Sequence, residues 1–483
     1  MVKRQKHHNT KTAIEKGFPS VARKPSKITA STPYGVCGER LSPFGGLLAL
    51  IKFLDLIGFE EIFEEAYRAP KRTPKLGHYR MVIGLIMLLF IGFNRLWHFV
   101  YIRLDSLVCG FFQLAILPAA STFWRYVDSL GINQANALLS VILLLRERLW
   151  QQCGLQYERI HVSIDTTVET VYGNQQGIRK GYNPRNRGKR GYRPVLAFID
   201  ETREYLLGKL RKGETLSGEE AAVFIKQIKR QLPTCVKKVL IRADAEFFSW
   251  ETVSAAMEEG FDFIIGNKRA KPVFDPETWY RPWKRKPVAF NSCIFQPIGW
   301  KSRVRFVAMR IPKEPLQYEL FEDDNYTYRV FCTSLKGKPH KIIARYDKRA
   351  DVENLVGEAK REGLEAIPSA KFKNNFAFFQ VVMLAYNIWR YLKMMAEISA
   401  REDTSDASLQ GVQDNTIRIA RLRLLLIAAK LIFHNNRHQL KYSIHDTRTP
   451  SMISFLKFLD NARHRPRPWI GGGTRHVGLP VAT

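Results

Sequence analysis

The run Ile160-His-Val-Ser-Ile-Asp165, IHVSID, is where the texture of this chain changes. Ile160, Val162 and Ile164 alternate with His161, Ser163 and Asp165, the period of two expected of a half-buried strand. Upstream, residues 40–155 carry apolar residues at helical spacing in GLLALIKFLDLIGFEEIFEEAY, HYRMVIGLIMLLFIGFNRLWHFVYIRL, STFWRYVDSLG and NQANALLSVILLLRERLWQQC. Downstream, RPVLAFID and EYLLGKLRK read as two further strands. Ser217-Gly-Glu-Glu220 is a capping box opening the helix EEAAVFIKQIKRQL. KKVLIRAD, SWETVSAAMEEG and FDFIIGNK then read as strand, helix and strand. The pattern predicts an α/β core preceded by an all-helical N-terminal domain.

Further along, AFNSCIFQPIGW, SRVRFVAMRI and YTYRVFCTS predict a β-rich insertion within 268–336, followed by the strongly apolar helix KNNFAFFQVVMLAYNIWRYLKMMAEI. Composition shifts divide the chain into a basic flexible tail (1–35), a helical domain (36–155), an α/β domain (156–400) and a C-terminal helical and basic region (401–483), in which TIRIARLRLLLIAAKLIFHNN reads as one amphipathic segment.

The 483 residues hold 76 Lys and Arg against 45 Asp and Glu, a formal net charge of +31. An excess of that size calls for a polyanionic partner, nucleic acid before a membrane surface. The six cysteines include no C-x-x-C pair, which predicts reduced thiols, with neither a zinc site nor a disulfide framework. No apolar run follows the basic N-terminal stretch, so no secretory signal is expected. The apolar run Met81–Phe93 is too short to span a bilayer and predicts a buried helix.

In RYDKRADVENLVGEAKR, Arg345–Arg361, the residues Tyr346, Arg349, Glu353 and Lys360 would fall, at about 100° per residue, within an arc of about 60° on one helix. Such a stripe is either a solvated charged face or a face that meets an anion around one carboxylate. Gly357, on the same side, predicts a close backbone approach. Three acids stand at telling places: Asp165 and Asp244 each close a strand, and Glu353 lies on the predicted helix. Three carboxylates brought together repel unless a cation intervenes, and Mg²⁺ takes such hard oxygens. Asp200, also at a strand end, competes with Asp244 for the second place. Glu246 would either join the site as a fourth acid or point to solvent, the second being the preferred reading.

These residues resemble the DDE transposases of bacterial insertion sequences, in the group whose third acid carries a Y-(2)-R-(3)-E-(6)-K signature. Tyr346, Arg349, Glu353 and Lys360 reproduce that spacing; Ser163-Ile-Asp-Thr-Thr167 and Ile241-Arg-Ala-Asp-Ala-Glu-Phe-Phe248 carry the other two acids, and Arg179-Lys-Gly-Tyr-Asn-Pro184 with the Gly-Tyr-Arg-Pro after it is also family-like. The resemblance implies a ribonuclease-H-like catalytic core with a β-rich insertion. It implies that Asp165, Asp244 and Glu353 are catalytic and bind two Mg²⁺ ions, for which Mn²⁺ can substitute, and that Tyr346, Arg349 and Lys360 contact phosphates of the transposon end. Double-stranded DNA is the implied partner, held by a homodimer, with no membrane and a cytoplasmic location.

The loop after the first acid strand adds Arg179, Lys180, Arg185, Arg187, Lys189 and Arg190 as DNA-binding candidates, with Arg193, Tyr182 and Tyr192 interleaved and no acid among them. Trp279, Trp283 and Trp300 in the insertion offer stacking surfaces or core packing. An inactive DNA-binding derivative and a sequence-nonspecific nuclease of the same fold are the alternative functions.

Overall fold

A computed structural model of the chain describes residues 27–181, 183, 186–313, 325–402 and 407–464. Most of the basic N-terminal tail, Tyr182, Arg185 and most of the C-terminal basic stretch lie outside the described residues. The chain forms two compact units, one from 27–56, 99–119 and 393–464 and the other from 57–98 and 120–392. The predicted helical segment 36–155 is therefore shared between them.

The second unit is built on a mixed sheet of eight strands: β1 (Arg159–Thr166), β2 (Val195–Ile199), β3 (Glu204–Lys209), β4 (Lys238–Ala243), β5 (Asp262–Gly266), β6 (Ala289–Phe295), β7 (Val304–Pro312) and β8 (Tyr326–Thr333). Their spatial order is β6-β7-β8-β5-β4-β1-β2-β3. Only β1 with β4 and β4 with β5 pair in parallel. The insertion strands β6 to β8 form an antiparallel extension joined to the core through β8 and β5, so they continue the sheet. Ile160, Val162 and Ile164 are fully buried, as their alternation requires, but Ser163 is buried too, because β1 is a central strand covered on both faces.

The capping box forms as read. Ser217 Oγ accepts the Glu220 amide at 3.1 Å, Glu220 accepts the Ser217 amide at 3.4 Å, and the helix Gly218–Lys229 follows. Every residue from Met81 to Ile91 is buried in the helix His78–Ile91. Among the described residues no single helix is long and apolar enough to cross a membrane.

A sheet edge exposes unpaired backbone groups, and the long helix Phe372–Glu402 closes the edge at β3. Asn387 accepts from the Tyr205 amide and donates to the Tyr205 carbonyl, both at 2.8 Å, and Gln380 donates to the Gly208 carbonyl at 2.9 Å. Beside this lies a buried ionic knot. Glu204 accepts from Arg146 Nε (3.1 Å), Trp150 Nε1 (2.9 Å), Thr202 (2.8 Å) and the Tyr391 hydroxyl. It ties the helix Ile132–Cys153 to the sheet, so this N-terminal helix belongs to the body that holds the acids.

In the first unit, the helix Leu47–Leu56 packs against Thr449–Ala462 around Phe53 and Phe455. The expected amphipathic segment is corrected here. The helix stops at Leu424, and Ala429–His434 pairs antiparallel with Arg437–Tyr442. The physical cause is the turn: Asn435 and Asn436 adopt φ of 48° and 59°, the left-handed pair that suits a two-residue hairpin.

Candidate active site

Register brings the first two acids together. In the parallel pair β1 and β4, Ile164 stands opposite Ala243, so the next residues, Asp165 and Asp244, leave neighbouring strands side by side. Strands in a sheet are about 4.8 Å apart. The helix Ala350–Ala359 packs on β1 and carries Glu353. Asp165, Asp244 and Glu353 line one cavity of about 800 Å³ together with Thr166, Arg193 and Lys360.

Electrostatics record their proximity. Burial, and then the charges of Asp244 and Glu353, push the Asp165 carboxyl up to about 6 against the opposing pull of Arg349. Asp244 is likewise raised, chiefly by burial, with Arg349 and the Glu246 amide pulling the other way. Three hard carboxylates lining one cavity are a donor set that suits a divalent cation such as Mg²⁺. Among the described residues no three Asp, Glu, His or Cys side chains are already drawn into a closed metal-binding group.

The single-helix stripe is corrected. Pro339–Asp347 and Ala350–Ala359 are separate helices with a break at Lys348–Arg349, and Lys360 begins a π-helical turn. Tyr346 is half-buried against Phe331, ring centroids 4.3 Å apart. Arg349 turns inward, donating to Asp165 Oδ1 at 2.8 Å and to the Ile164 carbonyl at 3.1 Å. Lys360 Nζ donates to the Val168 carbonyl at 2.7 Å. Arg349 and Lys360 thus each meet an acceptor within the protein, as burial requires of a cation. Gly357 lines the cavity, and only the Arg361 side chain comes within 4 Å of where its Cβ would be, so no backbone approach explains it.

Asp200 is out of contention. β2 runs antiparallel to β1 with Leu196 opposite Asp165, which carries Asp200 about 13 Å away along the strand, where it pairs with Arg242.

Glu246 does not face solvent. It accepts from Thr166 Oγ1 (2.6 Å), Arg193 Nη2 (2.7 Å) and the Leu216 amide (3.0 Å), while its own amide donates to Asp244 Oδ1 at 3.0 Å. These partners outweigh burial and hold its carboxyl below its ordinary value. Glu246 thus ties the residue after Asp165 to the segment after Asp244. Its place two residues beyond Asp244 was the only signal in the sequence.

The basic loop presents Arg179, Lys180, Arg187, Lys189 and Arg190 to solvent, with Arg179 also 3.2 Å from Glu214. Tyr192, interleaved among these cations in the sequence, is fully buried and donates to the Gln176 carbonyl at 2.7 Å. At Gly191 a Cβ would stand 2.3 Å from the Glu169 carbonyl, so only glycine fits between the short strands there. Glu169 itself was missed: it is 2% exposed, and neither carboxyl oxygen has a hydrogen-bond partner among the described residues. Of the three tryptophans, Trp279 lies under the Arg310 guanidinium (4.4 Å), Trp300 packs on Phe248 (5.0 Å), and Trp283 remains 44% exposed.

A mixed α/β sheet that sets two strand-end aspartates beside a helix-borne glutamate defines a protein with a three-carboxylate site. The chain belongs to the family described as Transposase DDE domain group 1, whose profile matches residues 25–464. Among solved structures it is similar to the piggyBac transposase in a synaptic complex with hairpin DNA, at 10% identity and a TM-score of 0.40, covering 87% of this chain and 81% of that one. No curated protein sequence matches it significantly.

Proposed function

We propose that this transposase cuts a phosphodiester at the terminal inverted repeats of its own element and joins the freed 3′-hydroxyl to target DNA by transesterification. The observation that carries the reading is the cavity lined at once by Asp165, Asp244 and Glu353. The strand order β3-β2-β1-β4-β5, with β1, β4 and β5 parallel, supports a ribonuclease-H-like core. The three acids would hold two Mg²⁺ ions, with Mn²⁺ able to substitute. Bound there, the ions supply an activated water or 3′-hydroxyl and stabilise the leaving oxygen.

The side chains of the protein provide the frame. Arg349 orients Asp165, and Glu246 holds the two acid-bearing strand ends in register. Lys360 fixes the Val168 backbone at the cavity rim. Tyr346 and the exposed cations of the 179–190 loop would then meet the DNA backbone, positioning the scissile bond. Two ends must be joined, so a homodimer on DNA is part of the reading, as is a bacterial cytoplasmic location at the nucleoid.

The test is to incubate the protein with Mg²⁺ and duplexes carrying the inverted repeats that flank its reading frame. Nicks at the repeat ends and joined products are expected, and Asp165→Asn, Asp244→Asn and Glu353→Gln should each abolish both. Equal cutting of unrelated duplexes without joining would replace the reading with a nonspecific nuclease. Binding without cutting would replace it with an inactive derivative.

A further inference from the structure

The hairpin Ala429–Tyr442 in the first unit is not accounted for by the catalytic cavity. Its sequence, AKLIFHNNRHQLKY, contains Lys430, His434, Arg437, His438 and Lys441 and no acid. Its register sets Lys430 directly opposite Lys441, with Arg437 beside the turn. Like charges directly opposed across strands are destabilising. Lys430 is relieved by Glu39, but no ion pair forms at Arg437 or Lys441 among the described residues. The ribbon therefore keeps an electrostatic cost that a polyanion would remove.

Its shape points the same way. The base is anchored: Leu41–Ser42 pairs with Lys430 and Ala429, and the Tyr442 hydroxyl donates to the Gly45 carbonyl at 3.0 Å. Residues 433–438 at the other end are all exposed. Phe433, 64% exposed, lies against the His438 ring at 5.0 Å. The left-handed pair Asn435 and Asn436 pre-sets the turn, so little ordering is left to be done on binding. A two-stranded ribbon fits the major groove of B-DNA, about 12 Å wide, where side chains such as Asn, Gln and Arg can reach base edges and an apolar ring can meet a thymine methyl.

We infer that this ribbon is a duplex-DNA-binding element that enters the major groove tip first, with Asn435 and Asn436 at the base edges, Arg437 and Lys441 facing one groove wall and Phe433 and His438 facing the other. The inference rests on DNA being the substrate of the proposed function but not on the three acids. A single exposed apolar ring amid polar neighbours favours DNA over a lipid surface, which requires a broad apolar face.

The test uses the full chain and compares wild type with the combined Arg437→Ala, His438→Ala, Lys441→Ala variant and with Phe433→Ala. Affinity for a short duplex is measured across a salt series, with the melting temperature as the folding control. The triple variant should bind about tenfold or more weakly at moderate salt, with the slope of log K against log salt shallower by about two, from the loss of Arg437 and Lys441. Phe433→Ala should weaken binding with the slope unchanged. Unchanged affinity and slope in both variants, or a ribbon-dependent preference for anionic vesicles over duplex, would overturn the inference. A wild type that binds DNA through the ribbon but never cleaves would overturn the catalytic reading alone.

Discussion

The Arg349 guanidinium holds Asp165 by a 2.8 Å bond to Oδ1 and, with the same nitrogen, the carbonyl of Ile164 by a 3.1 Å bond. One buried cation thus fixes both the side chain of the first acid and the backbone that leads to it. Removing one partner of a buried ion pair costs about 3–5 kcal/mol. Arg349→Ala should lower stability by that order and abolish end cleavage. Arg349→Lys, which keeps the charge but cannot span both acceptors, should recover stability more than activity. Urea unfolding alongside cleavage assays measures both.

Glu246 is the second fixing point. Glu246→Ala strips Arg193 of its partner while Arg193 Nε and Nη1 have none among the described residues, and it frees Thr166. We expect a loss of about 3 kcal/mol and a fall in cleavage of at least about tenfold. Glu246→Gln keeps an acceptor for the Leu216 amide and should recover most of the stability. If Glu246→Ala cleaved as well as wild type at a temperature where both are folded, its role in setting the acids would be refuted.

Glu169 supplies a pH signature. Its carboxyl is pushed up to about 8 from the ordinary 4.5, first by burial, against the pull of Lys360. Between those values the folded state binds a proton that the unfolded state has released, so stability should fall as pH rises toward 8. Glu169→Gln removes the titration. Relative to wild type, the variant should gain on the order of 4 kcal/mol between pH 5 and pH 9, read by denaturant midpoints at each pH. Parallel pH profiles for the two proteins would contradict this.

The Glu204 knot tests the frame away from the acids. Glu204→Gln leaves the fully buried Arg146 without its counter-charge. The expected cost is about 3–5 kcal/mol, seen as a large drop in melting temperature. Cleavage per folded molecule at low temperature should be close to wild type.

Arg187, Lys189 and Arg190 stand exposed after the strand that carries Asp165. Replacing all three by Ala should reduce the salt dependence of DNA affinity by about two to three, since each phosphate contact contributes about 0.9 to the slope. The melting temperature should hold, and an unchanged slope would place DNA elsewhere on the protein.

Much of this architecture could be read in the residues. Period-two alternation in IHVSID, the Ser217–Glu220 capping box and the apolar helix around Phe376–Met395 are local signals, written in neighbouring residues. The C-terminal hairpin had a local signal as well, the Asn435-Asn436 pair, outweighed by an apolar run that also suits a helix. The inward turn of Arg349 had none, because its partner lies 184 positions away. The same holds for Glu246, whose acceptor role depends on Thr166, Arg193 and Leu216 arriving from three other segments.

The order of elements and the candidate acids were determined by the sequence alone, since strand and helix periods and end signals depend on residues a few positions apart. Which acids meet was decided only in three dimensions. The register that sets Ile164 against Ala243 brings Asp165 beside Asp244, and antiparallel pairing carries Asp200 away. Pairing between distant strands is a property of the packed sheet, so the direction each charged side chain takes follows from what burial leaves within its reach.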